Sequence, residues 1–370
     1  MTGLLYFFYL LEAGFFGAFC YLFYRLYRSA ERRLPQWWGP LPSVSILVAA
    51  RNEEANLSRC LDALVGLDYP TSKLDVWIGN DHSEDATATI ARQYQQAYGH
   101  VHTVDIQDNV GLARGKANVL AQLAGLSRGR YLMVCDADIL VNPDWVQNML
   151  AIHQNHGVDA VTGSTVGLPG NTLWTDLQAF EWLYYMSIFK TLDTLGHSTA
   201  MGNNMSITRD AYKAVGGYES IPFSVTEDYA LYQVLMHKGF HHEVVYHAGV
   251  RNYSMPLADY ATLLHQKRRW ARGAAQLPWR IKWLMLLHAA FFPVLLGHAL
   301  LGEAVEAVLA FAVFVALMQA VLHFGQQHLS LQVSKRARWL FPLHLAALNL
   351  IGPWFAAFHR KVKWKGRQYA

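Results

Sequence analysis

Apolar positions along this chain follow two different patterns. Residues 1–24 form an almost unbroken apolar and aromatic run whose single charge is Glu12, and Arg25, Arg28, Arg32 and Arg33 follow it. About 20 apolar residues suffice to cross a bilayer as one helix. Positive charge after the run predicts that this end faces the cytoplasm. A secretory signal peptide has the reverse order. Near the other end, residues 283–302 and 307–325 carry no Asp, Glu, Lys or Arg, and Glu303 and Glu306 stand between them. After Lys335, Arg336 and Arg338 comes a third uncharged run, 339–358, which contains Pro342 and Pro353 and reads as a span or a re-entrant hairpin.

Between these runs the pattern changes. From Ser43 to about Lys282 short strand-like runs alternate with helical ones. SILVAA, LDVWIGN, VHTVDI and RYLMVC have strand character, and LSRCLDALV, ATATIARQYQQA and KANVLAQLAGL carry apolar residues at helical spacing. Such alternation predicts crossover units and a mostly parallel sheet, whose ligands bind beyond the carboxyl ends of the strands. The polar clusters fall at such ends: Arg51-Asn52-Glu53, Asp81 to Asp85, and Asp136-Ala137-Asp138. The predicted organisation is a membrane helix over 1–28, an α/β domain over 43–255, an interfacial helix over 256–282, membrane segments over 283–358 and a basic tail over 359–370.

Composition narrows the class. Hydrophobic residues make up 53% and charged residues 16% of 370, which excludes disorder as a description of the whole. Three scattered cysteines supply neither a disulfide scaffold nor a zinc knuckle. The net charge is +4, with the basic residues grouped beside the apolar runs. That grouping argues against a nucleic-acid partner. His241, His242 and His247 lack the spacing of a metal site.

Three motifs carry candidate chemistry. Asp136 and Asp138 at a strand end offer hard oxygen ligands to Mg²⁺ or Mn²⁺, or form a solvated turn. Thr226-Glu227-Asp228 offers a general base, or caps a helix. In Gln266-Lys267-Arg268-Arg269-Trp270 the first, fourth and fifth residues share a helix face. They make a diphosphate clamp with an aromatic platform, or a basic amphipathic helix at the bilayer surface.

In order, Asp81, Asp136-Ala137-Asp138, Thr226-Glu227-Asp228 and Gln266-x-x-Arg269-Trp270 resemble the membrane-bound family 2 glycosyltransferases, over residues 43–280. The resemblance implies a GT-A fold, Rossmann-like and flanked by transmembrane and interfacial helices. It also implies an inverting transfer from a UDP-sugar. Ala50, Asn52 and Glu53 then match the first nucleotide-contacting strand end, Asp81 holds the uracil, and Lys116 lies near the donor. Asp136 contacts ribose or metal, Asp138 binds the metal, and Gly202-Asn203-Asn204 precedes the acceptor site. Asp228 is the base, Glu227 accompanies it on the acceptor side, Gln266 and Arg269 hold the diphosphate, and Trp270 lines the acceptor entrance. Where this family often has a second acid before Asp81, the chain has Asn80.

The final VKWKGRQY resembles the tail of ceramide-, hopanoid- and carotenoid-type glycolipid glycosyltransferases. Together with the few membrane segments, it favours one sugar placed on a membrane lipid. The alternatives are a processive polysaccharide synthase and a membrane-anchored sensor that binds the sugar nucleotide without reacting. The expected setting is the inner membrane, multi-pass, with a cytoplasmic catalytic domain.

Overall fold

The computed structural model describes the backbone of residues 2–274, 277–358, 362–364 and 367–369, and the side chains of 2–272 and 277–352. The chain divides into two compact units. One comprises Ala30–Val166 and Ser198–Met255; the other comprises Met1–Ser29, Gly167–His197 and Pro256–Ala370.

The first unit is built on strands β1 (Val44–Ala50), β2 (Leu74–Asn80), β3 (Val101–Asp105), β4 (Tyr131–Asp136), β5 (Ile139–Leu140), β6 (Ala160–Thr162), β7 (Thr165–Gly167), β8 (Met205–Thr208), β9 (His242–Val244) and β10 (Asn252–Ser254). Seven of them form one sheet in the order β3-β2-β1-β4-β8-β6-β9. β1 runs parallel to both β2 and β4, β2 parallel to β3, and β6 parallel to β9; β8 is antiparallel to β4 and β6. The predicted α/β class with a mostly parallel sheet is what the chain adopts.

Period-two alternation explains why both faces are covered. Val44, Ile46, Val48 and Ala50 of β1 and Tyr131, Met133 and Cys135 of β4 point into one core. There they meet helices α2 (Leu57–Val65) and α5 (Trp145–His156). On the opposite face Leu47, Leu132 and Val134 meet helix α4 (Lys116–Leu126). A Cβ at Gly79 of β2 would lie 2.3 Å from Cγ1 of Val119, so only glycine lets α4 approach that strand. Helix α3 (Thr87–Ala97) follows β2, and Asp85 Oδ1 accepts the Thr87 N–H at its start.

The second unit is helical: α1 (Thr2–Ser29), α6 (Leu173–Asp193), α9 (Tyr260–Ala274), α10 (Trp279–Leu300), α11 (Ala304–His328) and α12 (Lys335–Phe358). Helices α7 (Arg209–Ala214) and α8 (Glu227–His237) belong to the first unit. α1, α10 and α11 are long and apolar enough to cross a membrane. They pack through aromatic rings, Phe15 and Phe291 stacking at 4.2 Å. Residues 335–358 form one continuous helix despite Pro342 and Pro353. Helix α6 packs against α1, α11 and α12. Parts of the basic tail, and the side chains of its Trp364 and Arg367, lie outside the described residues.

Candidate active site

The acidic motifs of the first unit converge at the carboxyl edge of the sheet. β1 ends at Ala50, which is buried, and the backbone then turns through Asn52 at φ 51°. The Asn52 N–H donates to Ser83 Oγ, and its Oδ1 accepts the Glu84 N–H at 2.9 Å. Glu53 donates its N–H to Thr87 Oγ1. These bonds tie the loop after β1 to the loop after β2. Asp81 leaves β2 with its N–H on the Ala50 carbonyl and is 7% exposed. Its own carbonyl accepts from Arg51 Nη1 at 2.6 Å. In place of a second acid, Asn80 donates to Asp105 Oδ1 at 2.7 Å, so the side chain at that position serves the neighbouring strand β3.

Asp136 closes β4. Its Oδ1 lies 2.6 Å from Nζ of Lys116, the first residue of α4, and Gly115 with φ 58° turns the chain into that helix. The same ammonium is 2.9 Å from Glu227 Oε1 and 3.4 Å from the Gly202 carbonyl. Burial works to discharge Lys116. Asp136, Glu227 and Asp228 together outweigh it and hold the ammonium well above the ordinary lysine range. Asp138 lies two residues beyond Asp136, and Ser254 at the end of β10 donates Oγ to its Oδ2 at 3.5 Å.

Asp228 occupies the first turn of α8, where the helix dipole favours negative charge. Its Oδ2 accepts the Gly202 N–H at 2.7 Å and its Oδ1 the Tyr229 N–H at 2.8 Å. Burial first, and then the Glu227 charge, raise it from 3.8 to about 6 against the pull of Lys116 and these two donors. One cation therefore joins the end of β4, the start of α8 and the loop at Gly202. Asn203 accepts from Thr165 Oγ1 at 3.1 Å. Asn204 is fully buried and spends its amide inside the protein, accepting from Trp145 Nε1 and donating to the carbonyls of Ser164 and Val250.

Gln266, Arg269 and Trp270 belong to the second unit, on α9. Gln266 Oε1 is buried without a hydrogen-bond partner among the described residues. The Trp270 ring meets Trp182 edge-on at 5.1 Å. Sequence reasoning did not single out Ser254, whose only signal is its place at a strand end. It also missed Glu181, inside the predicted α/β domain, and His344, in the uncharged run 339–358.

Among the described residues no three His, Cys, Asp or Glu side chains group as a metal site. Asp136 and Asp138 supply hard carboxylate oxygens, a set that suits Mg²⁺ or Mn²⁺ when water and phosphate complete the shell.

A parallel sheet with acids gathered at its carboxyl edge, one of them in a helix's first turn, is the framework of a GT-A glycosyltransferase. A solved structure shares that fold: the mannosyltransferase PcManGT from Pyrobaculum calidifontis, in complex with GDP-Man and Mn²⁺. It aligns with a TM-score of 0.57 at 20% identity, over 94% of this chain and 99% of that one. The family model for glycosyl transferase family 21 matches residues 10–370, and the chain belongs to that family. The family number differs from the family 2 resemblance read from the motifs; the glycosyltransferase class is the same. The β-monoglucosyldiacylglycerol synthase of Trichormus variabilis is 29% identical over 242 residues, 64% of this chain and 50% of that protein. A poly-β-1,6-N-acetyl-D-glucosamine synthase of Staphylococcus epidermidis is 26% identical over 65% of this chain and 56% of that protein. The chain thus spans about half the length of the curated relatives it matches.

Proposed function

We propose that this glycosyltransferase moves one sugar from a UDP-sugar to the hydroxyl of a membrane lipid with inversion. The observation that carries the reading is Asp228: a half-buried carboxylate oriented by two N–H donors, raised to about 6 and set beside the Lys116 ammonium. A base of that strength is mostly ionised near neutral pH and still able to take a proton. It removes the acceptor's hydroxyl proton as that oxygen attacks the anomeric carbon. The bond from that carbon to the diphosphate breaks, and UDP leaves with the electron pair. One displacement inverts the configuration without a protein nucleophile.

Ala50, Asn52, Glu53 and Asp81 bind the nucleoside, Asp81 taking the base. Lys116 keeps Asp136 and Glu227 in place, and Gln266 and Arg269 take diphosphate charge. Gly202 and Asn203 face the acceptor, with Asn204 bracing that loop from behind and Trp270 lining the entrance. Asp136 and Asp138 would hold Mg²⁺ or Mn²⁺, which when bound supplies positive charge for the departing diphosphate. A lipid acceptor is supported by the three membrane-length helices and by the relative named for glucosyldiacylglycerol synthesis. The same features support a multi-pass inner-membrane setting with the sheet unit in the cytoplasm.

The test is incubation of the purified full chain and native lipid extract with labelled UDP-sugars and Mn²⁺, followed by thin-layer separation. A single labelled apolar product is expected. Labelled material retained at the origin would favour the polysaccharide reading, and unreacted donor that binds but never transfers would favour a sensor.

A further inference from the structure

Glu181 lies in the middle of α6 with 1% of its surface exposed, and both of its oxygens are engaged. Oε1 pairs with Nζ of Lys267 on α9, and Oε2 lies 3.2 Å from Nε2 of His344 on α12. A buried carboxylate is tolerated only when paired, so one side chain pins three helices of the second unit. The sequence motif leaves the position of Lys267 unspecified, yet the structure uses it twice. Beyond the ion pair, its ammonium sits 3.9 Å from the centre of the Trp270 ring and 4.6 Å from that of Tyr185. Trp182 and Tyr185 meet the Trp270 ring edge-on at 5.1 and 6.0 Å. A cation held against an aromatic face is attracted by the ring quadrupole and restricts the ring's rotamers.

We propose that Glu181 is a positioning residue: through Lys267 it fixes the orientation of the Trp270 indole. Lys267 alone is a long, flexible side chain; the carboxylate supplies the anchor that holds its ammonium over the ring. The proposal's consequence for turnover rests on the reading of Trp270 as an acceptor-side residue. Its structural part stands without that reading.

The experiment uses the full chain in lipid nanodiscs, labelled with 5-fluorotryptophan, the Trp270 signal being assigned by its loss in Trp270→Phe. Glu181→Gln should shift that ¹⁹F resonance and raise the acceptor KM about five-fold with kcat within about two-fold, the size of a weakened cation–ring contact. The double variant Glu181→Gln/Lys267→Met leaves no unpaired buried charge. It should recover thermal stability but neither the resonance nor the KM. Lys267→Arg, which keeps a cation there, should recover most of both. An unmoved resonance in Glu181→Gln would overturn the proposal. So would a double variant that regains the wild-type resonance and KM together, because the pair would then serve stability alone. A shifted resonance with an unchanged acceptor KM would uphold the positioning and remove Trp270 from acceptor binding.

Discussion

The Lys116 ammonium lies 2.6 Å from Oδ1 of Asp136. That contact ties the first turn of α4 to the end of β4, and the same nitrogen reaches Glu227 at 2.9 Å. Lys116 is thus the counter-charge of an acidic cluster that would otherwise repel itself.

Replacing Lys116 by Met should therefore do more than weaken donor binding. Breaking a buried pair by removing one partner costs about 3–5 kcal/mol. The lower end applies here, because the Asp136 side chain is 34% exposed. Thermal unfolding should show that loss, and Lys116→Arg should recover part of it. A Met variant as stable as the wild type would mean that solvent already screens the cluster.

The raised Asp228 sets a pH profile. With its folded value near 6, kcat/KM for the acceptor should rise with pH, pass half its maximum at about 6 and level off about one unit above. The sign for stability is opposite. Between about 4 and 6 the folded state keeps a proton that the unfolded chain has lost, so Asp228's contribution falls as pH rises through that window. Asp228→Asn should remove this limb of the stability profile. It should also lower turnover by about 10²–10⁴-fold with UDP binding retained. Near-normal turnover in this variant would remove Asp228 from the chemistry.

Gly202 is the contact that holds the base. A Cβ there would stand 3.2 Å from Cβ of Asp228 and 3.2 Å from Nζ of Lys116. Gly202→Ala should push the carboxylate by a few tenths of an ångström and lower kcat about ten-fold, since misplacement by about 1 Å can cost 10²-fold. The melting temperature should change little. A variant with full kcat would show that the loop absorbs the methyl group without moving Asp228.

Asn204 is expected to act through stability. Asn204→Ala would leave the Trp145 indole N–H and the Val250 carbonyl without their Asn204 partner, while the Ser164 carbonyl keeps the Asn252 N–H at 2.9 Å. Each such orphan costs about 1–3 kcal/mol. Chemical denaturation should show a marked loss of stability, while acceptor KM in the surviving folded fraction stays near normal.

Chelation tests the carboxylate pair at the end of β4. EDTA should abolish transfer by the wild type and Mn²⁺ should restore it; Asp138→Asn should fail to respond to added Mn²⁺. Full activity in EDTA would take the divalent ion out of the mechanism.

Local pattern was enough to read much of this chain. Strand and helix periods are set by neighbours a few residues apart, so the alternation from β1 to β4, the strand-end acids and the apolar spans were legible without coordinates. Tertiary structure alone decided which distant groups share a charge. Nothing local links Lys116 to Asp136 and Glu227, or tells that Asn80 turns to Asp105 while Asn204 is consumed by Trp145. Nor does local pattern tell that α6, which lies between strands in sequence, packs among α1, α11 and α12. Burial and ion pairing are satisfied by whatever the fold brings within a few ångströms, and residues far apart in sequence reach that distance only once the chain has folded.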